Sequence, residues 1–490
     1  MGVRLADLTP QEWFDALNAR FTAITRPKWQ DKRAHSSEHS LVSRERRPRN
    51  EILDTLWSYR VGDPPLPYIE PEYHEAFCEV LRLARVNLAP MCVKAMLDRM
   101  ELQAVSTAID NDTDGDDLAA EIMEESGFGA MSKEFFDYAF SMGESYAMSV
   151  PGDPVPTLHA IDPRRCVGVR DTSNPVRLAA ALLKEYDQIT KEETAYLFLP
   201  GQKWTFRKGG DAWAHDPEFE AVQNLDDLGG IPIVRFDNEF GLGEYEPHID
   251  LLDRIIDTTL KRIIGFAYQA LRQRALRGDE AEDDEDSDTP EGGGSSLNPD
   301  DFRAGPGALW RIPKDFDIVE FAQANFNDML VAKRDDIKEF AASSQTALHW
   351  IIPDAADGSA EGAGLMRESS TAKLRDRRVR ATPTLRLLWR IAFAQAGQDR
   401  GRKITLHWGP IELRTLAERA SASAQAVGTL SLGQRCQRLW DMSPEEIEEN
   451  IQQLVAERLL MPDAPFAPTA PAAAAPPVDD SGDDHADQPS

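Results

Sequence analysis

Two short runs have the residue types and spacing of metal sites. Asp110 to Glu121, DNDTDGDDLAAE, places Asp110, Asp112 and Asp114, the turn residue Gly115 and Glu121 where a calcium loop carries its oxygen donors. Its eighth position, apolar where such a loop pairs with a second one, is Asp117, and the residues entering it alternate like a strand rather than a helix. The run therefore reads as an acidic turn capping the helix after it. His35 to His39, HSSEH, has the HxxEH order of a zinc protease. That chemistry needs both imidazoles on a rigid, partly buried helix with a third ligand, and the flanks RA and SLVSRERR have no apolar face to bury. The chain has neither a GxxxxGKS/T phosphate loop nor a GxSxG nucleophile elbow. Cys78, Cys92, Cys166 and Cys436 are scattered and form no CxxC pair. No catalytic set, metal or cofactor is assigned, and nucleotide-driven motors and the commonest hydrolases have no support.

With 84 acidic against 54 basic residues the net charge is -30, a surplus that repels phosphate, so contact with nucleic acid must be local. The basic residues placed for such contact lie on helices. In Glu244 to Arg277, at about 100° per residue, Asp250, Asp253, Arg254, Asp257, Lys261, Tyr268 and Arg272 fall within roughly a third of the circumference, with Ile264 and Gly265 the lapses. Nearly everything else is apolar, the reverse of a surface helix. Such a helix needs packed neighbours on both flanks, from a bundle core or from a ring of subunits whose wet stripe faces a channel or the outside. A second helix, Asn325 to Ser344, carries Asp328, Lys333, Arg334, Asp335, Asp336 and Lys338.

The elements around these helices are mixed, α+β and mainly helical. A short helix from Pro10 to Thr22 leads into a basic connector, so 1–49 is expected to be an N-terminal arm. Helices follow at Asn50 to Arg60 and Pro71 to Ala84, then VNLAPMCVKAMLDRM as a helix, MELQAVST as a strand, and helices at Leu118 to Glu125 and Ser132 to Gly143. From SYAMSV to GGIPIVRFDNE the texture is β-rich, with a hairpin signal at Lys208-Gly209-Gly210-Asp211. Asp279 to Asp288, with eight acids in ten residues, cannot pack and is a solvated loop. ALWRIPKDFDIVEF is β-like, and Trp350 to Gly364 is a loop without helical period. Leu365 to Ala396 is a long helix that Pro383 should kink. KITLHW is a strand, Leu413 to Leu460 is helical with a start signal at Ser443-Pro444-Glu445-Glu446, and the Pro/Ala-rich tail is disordered. No signal peptide and no apolar run of membrane-spanning length are found, so a soluble protein is expected.

The order of these pieces resembles the portal proteins of long-tailed bacteriophages from about Asn50 to Leu460. LWSYRVG, Leu56 to Gly62, is similar to the family's Tyr-rich helix end, with Arg60 in place of one tyrosine. Asn87 with VKAMLDRM, and Gly143-Glu144-Ser145-Tyr146 leading to PTLHAIDPRRCVGVRD, resemble its wing. Ile231 to Asn238, IPIVRFDN, is similar to the motif preceding the first stem helix.

The resemblance implies a portal-type subunit: wing at 50–243, stem helix at 244–277, clip at 278–320 with the acidic insert, second stem helix at 321–345, tunnel loop at 346–364, kinked wing helix and strand at 365–410, crown at 411–460 and a tail at 461–490. It implies a non-enzymatic ring of twelve copies at one capsid vertex of the virion, assembled in the host cytoplasm and away from membranes. The implied partners are double-stranded DNA in transit without sequence specificity, the terminase large subunit, a head-to-tail adaptor, and the major capsid and scaffolding proteins. Arg254, Lys261, Arg272, Lys333, Arg334 and Lys338 become channel candidates. His349, Trp350, Asp354 and Asp357 belong to the tunnel loop, and Trp310, Arg311 and Phe316 to the docking surface of the clip. A monomeric calcium or zinc enzyme and a different head or neck ring protein remain as alternatives.

Overall fold

The computed structural model describes residues 8–24, 47–65, 79–109, 115–210, 212–270, 274–277, 317–320, 326–351, 360–411 and 416–460. HSSEH, Asp110, Asp112, Asp114, Arg272, Trp310, Arg311, Phe316, Asp354 and Asp357 lie outside them.

The N-terminal helix, Pro10–Phe21, starts with a capping box in which Thr9 and Glu12 satisfy each other's backbone N–H. Its Trp13, Phe14, Leu17 and Phe21 recur at helical spacing and bury on a sheet, with Phe14 stacked on Phe206 at 4.1 Å between ring centroids. The segment 1–49 is thus not simply an arm, because its apolar stripe docks. The sheet is a six-stranded antiparallel one running from Cys166–Arg170 to Ala212–His215, with Glu220–Ala221 beside the strand Gln202–Gly209. Its strand Leu178–Tyr186 is apolar on both faces for a physical reason. Ala180 and Leu182 meet the N-terminal helix, while Ala181 and Leu183 meet a second core with Tyr146, Ile161 and Ile233.

A three-stranded antiparallel sheet places Glu144–Val150 between Ile233–Asp237 and Thr157–Ile161. Helices Arg49–Val61, Ala89–Leu97, Asp117–Glu125 and Phe128–Met142 build the largest core together with the long helix Ala360–Gln395, around Phe128, Phe136, Phe236 and Trp389. Pro383 sits inside that long helix. The helix starts at Ala360, ahead of the expected Leu365, and Leu348–Ile351 is also helical. Ala360, Glu361 and Ala363 favour the earlier start, Gly362 and Gly364 oppose it, and no apolar period marks it.

Ile249–Ala270 and Phe326–Ser343 form a helical hairpin. Its arms are antiparallel, since Arg254 meets Asp336 and Glu339 while the later Arg262 influences the earlier Lys333. The first arm is shorter than the expected helix to Arg277. Arg274–Arg277 is instead a strand paired antiparallel with Asp317–Glu320, in a register that sets Arg274 opposite Glu320 and Arg277 opposite Asp317. The first arm's apolar excess is largely absorbed within the chain: Ile249, Leu252, Ile255, Ile256 and Leu260 are buried, and Phe266 is exposed. The C-terminal helices are Leu416–Gln425, Leu432–Leu439 and Pro444–Leu460, the last capped by Ser443 and Glu446.

Candidate functional site

The motifs singled out in the sequence meet at the root of the helical hairpin. In the three-stranded sheet Glu144 lies opposite Asp237 and Ser145 opposite Phe236, so GESY and IPIVRFDN are neighbouring strands. Glu144 pairs with Arg49 at 2.6 Å and Arg235 at 2.8 Å, and Asp237 pairs with Arg235 and Arg170, each at 2.7 Å. Arg60 of LWSYRVG pairs with Asp137 at 2.7 Å, and the neighbouring Tyr59 donates its hydroxyl to Asp253 of the first arm. Burial, then Asp253, pushes the Tyr59 phenol above its ordinary range. Gly143 ends its helix at φ +85°, and a Cβ there would stand 2.4 Å from Gly241 O. A Cβ on Gly243 would stand 2.3 Å from Ser141 O. Only glycine lets these two backbones touch, and their contact sets Glu244 in place.

Glu244 is the centre of the site. Its side chain is 3% exposed and pairs at 2.7 Å with Lys373 and at 2.7 Å with Arg377, both on the long helix and themselves buried. Asn238 Nδ2 donates to Glu244 Oε1 at 3.1 Å. Burial alone would raise the Glu244 carboxyl; Lys373 and Arg377 outweigh it and hold the group at about 2. Arg377 also reaches Glu239 at 2.8 Å and Asp376 at 2.6 Å. Lys373 Nζ donates to Ser344 O at 2.8 Å, and Ser370 Oγ to Gln345 O at 3.1 Å. One lysine therefore ties the entry of the first arm and the exit of the second to the same helix. Every formal charge at this centre faces an opposite one, an arrangement suited to holding elements in register.

The channel candidates do not form one basic patch. Arg254 is half-exposed and engages Asp336 at 3.0 Å and also Glu339 on the second arm. Lys261 pairs with Asp257 at 2.6 Å and Lys338 with Asp335 at 3.0 Å. Lys333 leans towards the first arm, its amine pushed down by burial and then by Arg262. Arg334 is exposed. His349 and Trp350 fall in the short helix after the second arm. Glu244, Lys373 and Arg377 were not singled out as site residues. The signal available was a pair of cations four residues apart in KLRDRR with an acid just ahead of the first arm.

In the acidic loop, Asp116 caps the helix Asp117–Glu125 by accepting from Ala119 N, and it also accepts from Thr107 Oγ1 at 2.7 Å. Glu121 is exposed on that helix. Among the described residues no group of three or more His, Cys, Asp or Glu is placed to hold a metal ion, and no helix is long and apolar enough to cross a membrane.

The sequence matches the family described as phage portal protein, SPP1 Gp6-like, over residues 79–457. No curated protein matches it. Among similar solved structures is the neck of a native GTA particle computed with C12 symmetry, at 13% identity and TM-score 0.38, covering 78% of this chain and 98% of that one. Another is the virion of a native gene transfer agent particle, at 13% identity and TM-score 0.40, covering 80% and 99%.

Proposed function

The chain belongs to the SPP1 Gp6-like family of phage portal proteins, and from that premise we propose that its copies form a ring through which double-stranded DNA enters and leaves a capsid. The ring, of about twelve copies as in the resemblance drawn from the sequence, sits at one vertex of the virion after assembly in the host cytoplasm. The arms of the helical hairpin form its stem, the segment between them docks the terminase large subunit and later the head-to-tail adaptor, and the segment after the second arm faces the channel. The major capsid and scaffolding proteins are its neighbours in the shell.

The observation that carries this reading is the hairpin's charge pattern. Arg254, Lys261 and Lys338 each face a carboxylate of their own chain. A conduit must let DNA slide, and each fixed phosphate contact would add to the binding that has to be released. With seven acidic against six basic side chains on the two arms and these cations paired, the hairpin attracts phosphate weakly, which suits passage rather than grip.

Negative-stain imaging of the purified protein tests the reading. Annular particles with a central hole are expected; a field of compact single-copy particles at every concentration would overturn it.

A further inference from the structure

The long helix Ala360–Gln395 ends beside a cleft that uses no residue of the helical hairpin. The cleft holds about 740 Å³, within the size range of small-ligand pockets. It lies between the last turns of that helix, the loop 397–402, Arg177 ahead of the strand Leu178–Tyr186, and the turn Asp226–Leu228. Three guanidiniums with donors to spare line it, those of Arg177, Arg390 and Arg402. Arg177 donates one N–H to Asp227 O at 2.7 Å, which fixes its place, and a Cβ on Gly229 would stand 3.3 Å from its Cδ. Among the described residues the side chains of Arg390 and Arg402 have no ion pair and no hydrogen bond. Burial first, and then Arg177 and Arg402, disfavour the charge on Arg390, so the three cations feel one another across the same volume.

The other charges of the cleft are directed elsewhere. Asp226, Asp227 and Asp399 line it and are exposed, whereas Arg177 and Arg390 are partly buried. None of these acids pairs with Arg390 or Arg402, and Asp399 accepts from Gly401 N at 2.8 Å. Arg400, the fourth arginine of the lining, turns to the buried Asp116 at 3.3 Å. Cations gathered in a recess without partners repel one another, and a bound anion would offset that cost. The number of donors says which anion. A carboxylate has one charge and two oxygens, which a single guanidinium fork can satisfy. A phosphoryl dianion has about twice the charge and three acceptor oxygens, and suits several forks converging from different elements.

We propose that this cleft is a binding site for a phosphoryl dianion, held by Arg177, Arg390 and Arg402. A free phosphate or pyrophosphate and the 5′-terminal phosphate of a nucleic acid present this same chemistry. The site is complete within one copy, so it stands whether or not copies form a ring.

Calorimetric titration of pyrophosphate into the full chain, at fixed ionic strength and neutral pH, tests it. Saturable binding is expected, weakened by about tenfold or more in Arg390→Gln and likewise in Arg402→Gln, which changes an exposed loop residue and should leave folding intact. Without pyrophosphate both variants should melt at or above the wild-type temperature, because each removes an unpaired like charge. A DNA duplex carrying 5′-phosphates that displaces pyrophosphate, where the unphosphorylated duplex does not, would support the site and assign it to a nucleic-acid end; no displacement by either would support it as a site for the free anion. Pyrophosphate binding that is absent, or equal in wild type and both variants, would overturn the proposal. So would variants whose only change is a lower assembled mass, since a carboxylate of a neighbouring copy would then be the partner of these arginines.

Discussion

Glu244 joins a carboxylate held near 2 to two buried cations, and its removal takes the carboxylate from the buried Lys373 and leaves Arg377 with Glu239 and Asp376. Glu244→Gln should lower stability by about 3 kcal/mol or more in chemical denaturation near neutral pH; a loss under 1 kcal/mol would show that the centre is not structural. The pH dependence follows from the lowered folded value. Above the ordinary glutamate range of about 4.5 the contribution is fully present, and it drains away as pH falls towards about 2, because the unfolded chain takes up its proton first. The difference between wild type and Glu244→Gln should therefore shrink across that window. At Gly143 a different force governs. Gly143→Ala should cost several kcal/mol, since the new methyl meets Gly241 O and the residue must hold φ +85°; near-neutral stability would contradict the close approach. The motifs carrying both residues were legible as short runs around GESY and IPIVRFDN. Their convergence was not, because Glu144 meets Arg235 across 91 positions of chain, a number no local period encodes.

At the scale of elements, the long helix acts as the strut that both arms are tied to. Lys373→Met keeps the helix but releases the Ser344 carbonyl and one partner of Glu244. Amide exchange in residues 343–347 should then quicken by about tenfold relative to distant strands; uniform change throughout the protein would instead indicate global destabilisation. The helices and strands themselves were largely legible, since Arg49–Val61 ends at a left-handed Gly62 and the β-rich block alternates or runs apolar as buried strands do. The first arm shows where legibility ends. Its apolar excess called for neighbours on both flanks, from a bundle core or from other copies, and Leu252, Ile255 and Leu260 find theirs in Phe340, Leu81 and nearby residues of the same chain. Its expected last turn became the strand Arg274–Arg277, because a facing partner segment, invisible to helical periodicity, was available 40 residues on. The N-terminal helix is legible in its own spacing, but its docking is not, because the sheet it packs on lies far along the chain.

For the whole molecule, family membership is the ground for the proposed ring. In that proposal the ion-paired, nearly charge-balanced arms of the hairpin suit passage of DNA. The molar mass by multi-angle light scattering over a wide concentration range tests that account most directly. A mass of many times 54.7 kDa, near twelve copies in the family-based reading, is the predicted result. A mass that stays at 54.7 kDa at every concentration, with and without co-expressed scaffolding protein, would contradict it.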